Sequence, residues 1–92
     1  MIEITAIRMS PGGTRHDHIA ELNWKNTTTS SEGSSTRQTI VDWLDKEGNQ
    51  AIVTNGTTTV YVGVVRPSTG SAYVRTYADG VWTDNLLALP RY

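Results

Sequence analysis

The segment GGTRHDH, Gly12 to His18, holds both histidines of the chain and the residue types that could bind a ligand. On a strand, His16 and His18 point to one side, where two imidazoles could contact a metal ion. The chain has no cysteine to complete a zinc set, so we predict no metal. A second hypothesis is an anion cradle, in which Gly12 and Gly13 let backbone amides approach the ligand while Arg15 and His16 donate. In the simplest interpretation, the glycines only connect strands and the histidines bond to the backbone.

A second group with binding chemistry is formed by Tyr73, Arg75 and Tyr77, which alternate along one stretch of sequence and therefore share one face of a strand. No acidic residue lies between positions 48 and 78, so this region carries a positive charge. Tyrosines beside an arginine can stack on a base and bond a phosphate, which makes a nucleotide a candidate ligand. The alternative is that the tyrosines cover the core and Arg75 pairs with Asp79 or Asp84.

The chain ends on RTYADGVWTDNLLALPRY, which is denser in aromatic, charged and leucine residues than a fraying terminus would be. We predict that its leucines and Trp82 close the core, and that Asp84 caps a last helical turn. Arg91 is a further cation that such a clasp does not require. Any binding site is therefore expected where Arg75, Tyr77 and Arg91 face the Gly12–Gly13 loop.

Patterns of catalytic residues are weak. No serine has the context of a nucleophile elbow, and Asp42 and Asp45 fall on the polar side of a predicted helix, where solvated carboxylates are the simpler interpretation. The absence of cysteine removes a thiolate nucleophile. We therefore predict no catalytic residue, no cofactor and no enzymatic activity.

Bulk properties bound the remaining possibilities. A length of 92 residues predicts one domain over residues 1–92, and the formal net charge of −1 argues against a protein that grips extended nucleic acid. No apolar run is long enough to cross a bilayer, and the first residues are too charged for a secretory signal. The expectation is a soluble cytoplasmic protein without a membrane partner.

The first half of the chain predicts two strands and one helix. Alternation indicates a strand at Ile2–Ile7, paired across the glycine loop with a second strand at about His18–Lys25. The polar stretch NTTTSSEGSS is expected to be a mobile loop. Ser35 and Gln38 then match a capping box, and the apolar face behind them predicts a helix from about Thr36 to Glu47.

The second half reads as strands separated by turns at Asn55-Gly56, at Pro67–Gly70 and at Asp79-Gly80. A regular turn at Pro67–Gly70 pairs Val64 with Tyr73 and places the tyrosines on the valine face, although a bulge of one residue would reverse this assignment. Trp24 and Trp82 are expected to flank Trp43 of the helix.

These elements predict an α+β fold, with an antiparallel sheet of about five strands in the order β-β-α-β-β-β and the helix packed on one face. A partial barrel is the alternative arrangement. Since one small helix covers only one side of such a sheet, we expect the other side to be free for a partner.

Three stretches, GGTRHDHI, TRQTIVDWL and YVRTYADGVWTDNLLALPRY, together resemble a group of short bacterial and phage-associated proteins catalogued only as a domain of unknown function. The resemblance covers nearly the whole chain, and its C-terminal stretch is the most specific part. It implies no activity, substrate, cofactor or catalytic residue. It does mark the segment from Gly12 to Ile19 and the C-terminal stretch, which we expect to meet in space.

The expected function is a non-catalytic binding or protein-interaction module, with a protein partner or self-association. The second hypothesis is a binder of a small anionic ligand such as a nucleotide, and the third is a small enzyme. The residues expected to bind a ligand are Gly12, Gly13, Arg15, His16, His18, Tyr73, Arg75, Tyr77 and Arg91.

Overall fold

A computed structural model describes all 92 residues, Met1–Tyr92, and confirms an α+β fold with one α-helix. The sheet has seven strands rather than the five expected, in the order β3-β2-β1-β4-β5-β6-β7. It is open, so the partial barrel is wrong. The elements along the chain are β1 (Ile2–Met9), a short 3₁₀ helix (His16–His18), β2 (Ile19–Asn26), β3 (Glu32–Thr36), α1 (Arg37–Leu44), β4 (Ala51–Thr54), β5 (Thr59–Val65), β6 (Tyr73–Ala78) and β7 (Val81–Thr83).

One strand pair is parallel, which corrects the expectation of an antiparallel sheet. Strand β4 lies beside β1, with Ile2 opposite Ala51 and Glu3 opposite Ile52. The chain reaches this position through α1, which acts as the crossover that a parallel pair needs. Strand direction depends on how the crossover returns to the sheet, and no local pattern of residues carries that information.

Helix α1 contacts β2 and β3 toward one edge of the sheet, and β5 and β6 toward the other edge. Neighbouring strands are about 4.8 Å apart, so one helix can reach β2 and β6 only if the sheet curls toward it. Ile40 and Val41 of the helix enter a core of 13 buried apolar residues. No helix of the chain has the length and apolar character required to cross a membrane.

The helix begins one residue later than the capping box predicts. Thr36 is the N-cap, and its Oγ1 accepts from the amide of Thr39 at 3.3 Å. Ser35 instead accepts from the indole Nε1 of Trp24 at 3.0 Å, because it belongs to a strand. The helix ends at Leu44, short of the Glu47 expected.

Strand β3 lies in the stretch expected to be a mobile loop. Its five residues pair antiparallel with β2, from Glu21 opposite Thr36 to Lys25 opposite Glu32. Residues of low β-propensity form a strand here because β2 offers an unpaired edge and the side chains find partners beyond it. The first two strands, β1 and β2, pair antiparallel as predicted.

The β5–β6 register differs by one residue from the predicted one. Val64 lies opposite Val74, and Val62 lies opposite Thr76. The connection spans residues 66–72 rather than a regular four-residue turn, which reverses every side chain of β6. Val74 and Thr76 are consequently buried, and Tyr73, Arg75 and Tyr77 project to the other side.

The turn at Asp79-Gly80 is confirmed, and both residues have the positive φ, 53° and 77°, that a tight hairpin turn needs. It leads into β7, a strand that sequence patterns did not predict. Trp82 of β7 lies on the outer side of the sheet rather than against the core, so its expected place beside Trp43 is wrong. Leu86 is fully buried, as expected for a leucine of the clasp.

Candidate functional site

The 3₁₀ helix, β6 and the turn after β7 line an open, polar cleft of about 450 Å³. It brings together the glycine-loop segment and the C-terminal stretch, the two regions that the family resemblance marked. We refer to it as the His16 cleft. It is lined by Thr14, Arg15, His16, Asp17, Tyr73, Arg75, Asp84 and Leu87.

Arg75 is the best-anchored cation of the cleft. Its Nη2 donates to Asp84 Oδ1 at 2.9 Å, and its Nε donates to the carbonyl oxygen of Thr83 at 3.2 Å. The Arg75 side chain is half-buried. Of the two ion-pair partners that the sequence allows, Asp79 and Asp84, the structure shows Asp84. The Asp84 carboxylate therefore does not cap the last turn. It is 76% exposed and held mainly by the guanidinium.

His16 is only 9% exposed, and its Nε2 is a buried polar atom without a hydrogen-bond partner. The Asp84 carboxylate is close by, with its Oδ1 3.7 Å from this atom. Burial and then the positive charge of Arg75 lower the pKa of His16, while Asp84 and Asp17 act in the opposite direction. The neutral imidazole is therefore favoured, beside a carboxylate that is just out of hydrogen-bond reach.

His18 organises the loop from inside rather than facing the cleft with His16. Its Nδ1 accepts from the amides of Thr14 at 3.0 Å and Arg15 at 3.2 Å. The amide of Gly13 donates to Ser10 at 2.8 Å, and a Cβ at Gly13 would come within 2.5 Å of the His18 Cβ. These amides are occupied within the loop, which leaves little for the predicted anion cradle and agrees with the structural interpretation of His18.

Besides His18, four of the predicted residues lie away from the cleft walls. Gly12 occupies an exposed turn with a φ of 73°, and Gly13 packs against His18. Tyr77 shares a face with Arg75 but packs against the rings of Tyr61 and Trp82, outside the cleft. Arg91 donates from Nη1 to the carbonyl oxygens of Leu87 at 2.6 Å and Leu89 at 2.9 Å, so it holds the last turn together.

The charges of the cleft balance. Arg15, which is exposed, donates to Asp17 at 3.2 Å, and Arg75 donates to Asp84. Arg37 at the start of α1 donates to the carbonyl oxygen of Asp17 and so ties the 3₁₀ helix to the α-helix. No cluster of three or more His, Asp or Glu side chains suited to a metal ion occurs.

A second surface lies at the β7 edge of the sheet, and we refer to it as the aromatic edge. It comprises Tyr61, Tyr77 and Trp82 on one face of the sheet, together with Val81, whose side chain lies on the opposite face of β7; all four are exposed. The Tyr77 ring lies 6.3 Å from that of Tyr61 and meets the Trp82 ring edge-on at 5.8 Å. Exposed aromatic groups of this size are typical of protein interfaces.

Sequence reasoning missed several groups of these two surfaces. Sequence patterns indicate Asp84 only as a cap or as one of two partners for Arg75. Leu87 gave no signal, because nothing local distinguishes it from the buried Leu86. The exposure of Val81 and Trp82 is not predicted, because a tryptophan near the chain end is expected to cover the core. The apolar residues beside the Asp79-Gly80 hairpin turn were the available signal for an additional strand.

Comparison with known proteins identifies a family but no activity. The profile of the family described as "Protein of unknown function (DUF3892)" matches residues 3–90, so the chain belongs to this family. No curated protein matches the chain significantly. No solved structure does so either.

Proposed function

We propose that this DUF3892 protein is a non-catalytic protein-interaction module that associates with a second copy of itself through strand β7. The observation that carries the proposal is the combination of an unpaired strand edge with exposed apolar side chains. Val81 is 64% exposed and Trp82 is 43% exposed, and β7 ends the sheet. An open strand edge of this kind is a template for pairing with another chain.

The hairpin geometry directs the free hydrogen-bonding groups of β7 outward. Ala78 and Val81 close the two-residue turn, and such a closing pair exchanges its hydrogen bonds within the hairpin. Trp82, the next residue, pairs with Tyr77 and therefore points its own N–H and C=O toward the open edge. In an antiparallel dimer symmetric about Trp82, these groups bond to their counterparts in the second copy.

Side chains favour the same arrangement. In the symmetric pairing, Trp82 of one copy faces Trp82 of the other, and the two aromatic edges become one continuous surface. Strand β7 itself carries no charged residue or proline that would protect its edge. Asp84, which follows the strand, is paired with Arg75. A net charge of −1 per chain gives little repulsion between copies.

The interface would be small, because β7 has only three residues. Contacts below about 1,200 Å² are typical of weak or transient association. We expect a dissociation constant on the order of 100 μM, so the oligomeric state should change with concentration.

The test is the concentration dependence of mass, measured by sedimentation equilibrium. We expect the wild-type chain to shift from monomer toward dimer, and Val81→Lys to remain monomeric because a lysine on an edge strand opposes pairing. The matched control is Thr57→Lys, which adds the same charge on an exposed loop and should dimerise like the wild type.

A wild-type chain that stays monomeric at millimolar concentration would contradict self-association. So would equal dimerisation of the Val81→Lys variant. If the wild type is monomeric and a different protein binds in a manner that Val81→Lys abolishes, the edge serves a different partner and the proposal of a second copy is wrong.

We also propose the cytoplasm as the location of this module. A chain without cysteine gains nothing from an oxidising compartment. Fractionation of the host cells with detection of the native chain tests this, and recovery from an extracellular fraction would contradict it.

A further inference from the structure

We propose that the His16 cleft binds a phosphate monoester, with Arg75 and Arg15 donating to the phosphate oxygens. This site is separate from the β7 edge and does not depend on self-association. Two observations support the inference. The Asp84 carboxylate occupies the position on Arg75 that a phosphate would take. The unpaired Nε2 of His16 is close enough to hydrogen-bond to that carboxylate once it is displaced.

Arg75 has donors to spare. Its contacts to Asp84 and to the Thr83 carbonyl use Nη2 and Nε, which leaves Nη1 unused. The contact to the Thr83 carbonyl fixes the plane of the guanidinium, so the remaining donors are oriented before a ligand arrives. A planar, oriented guanidinium is suited to bidentate binding of a phosphate.

Asp84 behaves as a stand-in for that phosphate. It is an oxyanion on the same guanidinium, and it is 76% exposed, so it can leave at little packing cost. A phosphate carries more charge than a carboxylate and offers more acceptor oxygens, which favours the exchange.

His16 is the hydrogen-bond partner for the Asp84 carboxylate once a ligand displaces it from Arg75. Its Nε2 is the buried side-chain atom without a partner, and Asp84 Oδ1 is 3.7 Å from it. A movement of less than about 1 Å would bring the two within hydrogen-bond distance. An orphaned buried polar atom costs stability, so satisfying it on ligand binding contributes to affinity.

The remaining walls indicate an organic group beside the phosphate. The cleft volume of about 450 Å³ exceeds what a lone phosphate fills and lies in the range of sites for small molecules. Tyr73 and Leu87 supply the apolar contact surface, while Thr14 can donate a further hydrogen bond. A nucleoside monophosphate has the matching combination of a flat ring and a terminal phosphate.

Binding should strengthen as the pH falls, because a protonated His16 would hold Asp84 and release Arg75. The charged groups facing His16 are Arg15 and Asp17 beside it, Arg75 from β6 and Asp84 from the last turn. From α1, Arg37 contacts the Asp17 backbone. An anion in the cleft offsets the positive charge of Arg75 that disfavours the imidazolium.

The test is a titration of the full chain followed by amide chemical shifts, with inorganic phosphate and adenosine 5′-monophosphate as probes. We expect shifts at residues 14–17 and 73–84, with the monophosphate binding more tightly than phosphate. Arg75→Gln should weaken both by about tenfold or more. Asp84→Asn should tighten both, since it removes the competing charge.

Arg66 and Asp45 provide the matched controls, because they form another exposed Arg–Asp pair and neither residue lines the cleft. Arg66→Gln and Asp45→Asn should leave both affinities unchanged. Arg75→Lys keeps the charge without the planar fork, and a loss of affinity in this variant shows that geometry matters in addition to charge. Urea midpoints establish that each variant is folded.

The pH dependence is measured with sulfate, which does not titrate in this range. The affinity should be higher at about pH 6 than at about pH 8 in the wild type, and the difference should disappear in His16→Gln.

Four results would overturn the proposal: no binding of either probe, an equal loss in Arg66→Gln, acetate binding as tightly as phosphate, or weaker binding by Asp84→Asn. If phosphate binds but adenosine 5′-monophosphate does not bind more tightly, the organic part of the ligand is wrongly assigned.

Discussion

The two edges of the sheet differ in how completely their side chains are used. At the β3 edge, Ser35 accepts from Trp24, Ser34 bonds to the hydroxyl of Tyr92 at 2.8 Å, and Thr36 caps α1. At the β7 edge, Val81 and Trp82 pair with their hairpin neighbours and remain exposed, although the Trp82 ring also lies near Gly63 of β5. Both strands end the sheet, but side chains of the polar strand bond to the rest of the chain, while the apolar side chains of β7 remain exposed.

This difference is the reverse of what propensity suggests. The residues EGSST are poor strand formers and VWT are good ones, but the first form a five-residue strand fully paired on one side and the second a strand of three residues. Tertiary partners stabilise β3, whereas β7 depends on a tight turn and leaves its apolar surface available to another molecule.

The largest effect is expected at the anchor of the β7 end. Leu86 is fully buried in the core just after β7, so Leu86→Ala should lower the free energy of unfolding by about 2–4 kcal/mol. The matched control is Leu87→Ala, which should cost less than about 1 kcal/mol because Leu87 is only partly buried. Urea unfolding measures both. Equal costs would mean that the last turn does not anchor this end.

Two glycines allow a direct comparison of the edges. A Cβ at Gly33 of β3 would lie 2.6 Å from Cζ2 of Trp24, a ring held by Ser35, so Gly33→Ala should cost about 1–2 kcal/mol. Gly63 lies under the more exposed ring of Tyr77, with a 3.1 Å approach, and Gly63→Ala should change stability by no more than about 0.5 kcal/mol. Equilibrium unfolding in urea decides, and a larger cost at Gly63 would contradict the openness of the β7 edge.

The link between β3 and α1 tests which residue caps the helix. Thr36→Ala should cost about 1 kcal/mol and speed hydrogen exchange at the amide of Thr39. Ser35→Ala should cost a similar amount, about 1 kcal/mol, by leaving the Trp24 indole unpaired, and should shift the indole N–H resonance instead. Exchange at Thr39 that responds to Ser35→Ala but not to Thr36→Ala would restore the capping box predicted from the sequence.

The smallest effect is expected from His16, at the β7 end. Because burial and Arg75 lower its pKa in the folded state, the unfolded chain takes up a proton more readily as the pH falls below about 6.5. Stability should therefore decline below that pH in the absence of ligand, and His16→Gln should reduce the slope. The check is the urea midpoint measured across this range, and an unchanged slope would contradict the lowered pKa.

Part of the candidate site could be predicted from the sequence. Arg15, His16, Tyr73 and Arg75 were chosen for their chemistry, and all of them line the cleft. Tyr77 and Arg91 were chosen on the same grounds and lie elsewhere. Tyr77 shares a face with Arg75 but lies farther along β6, against Tyr61 and Trp82, and Arg91 bonds to the carbonyl oxygens of the last turn. Side-chain chemistry does not indicate where along a strand the neighbouring elements form a cleft.

By itself, the sequence determined the features that depend on neighbouring residues: the amphipathic helix, the first hairpin and the turn at Asp79-Gly80. Only the tertiary structure decided the parallel placement of β4, the strand character of β3, the exposure of Trp82 and the choice of Asp84 as the partner of Arg75. The physical reason is that periodicity and turn chemistry act over a few residues. Strand order, register and ion pairing depend on which distant segments come together.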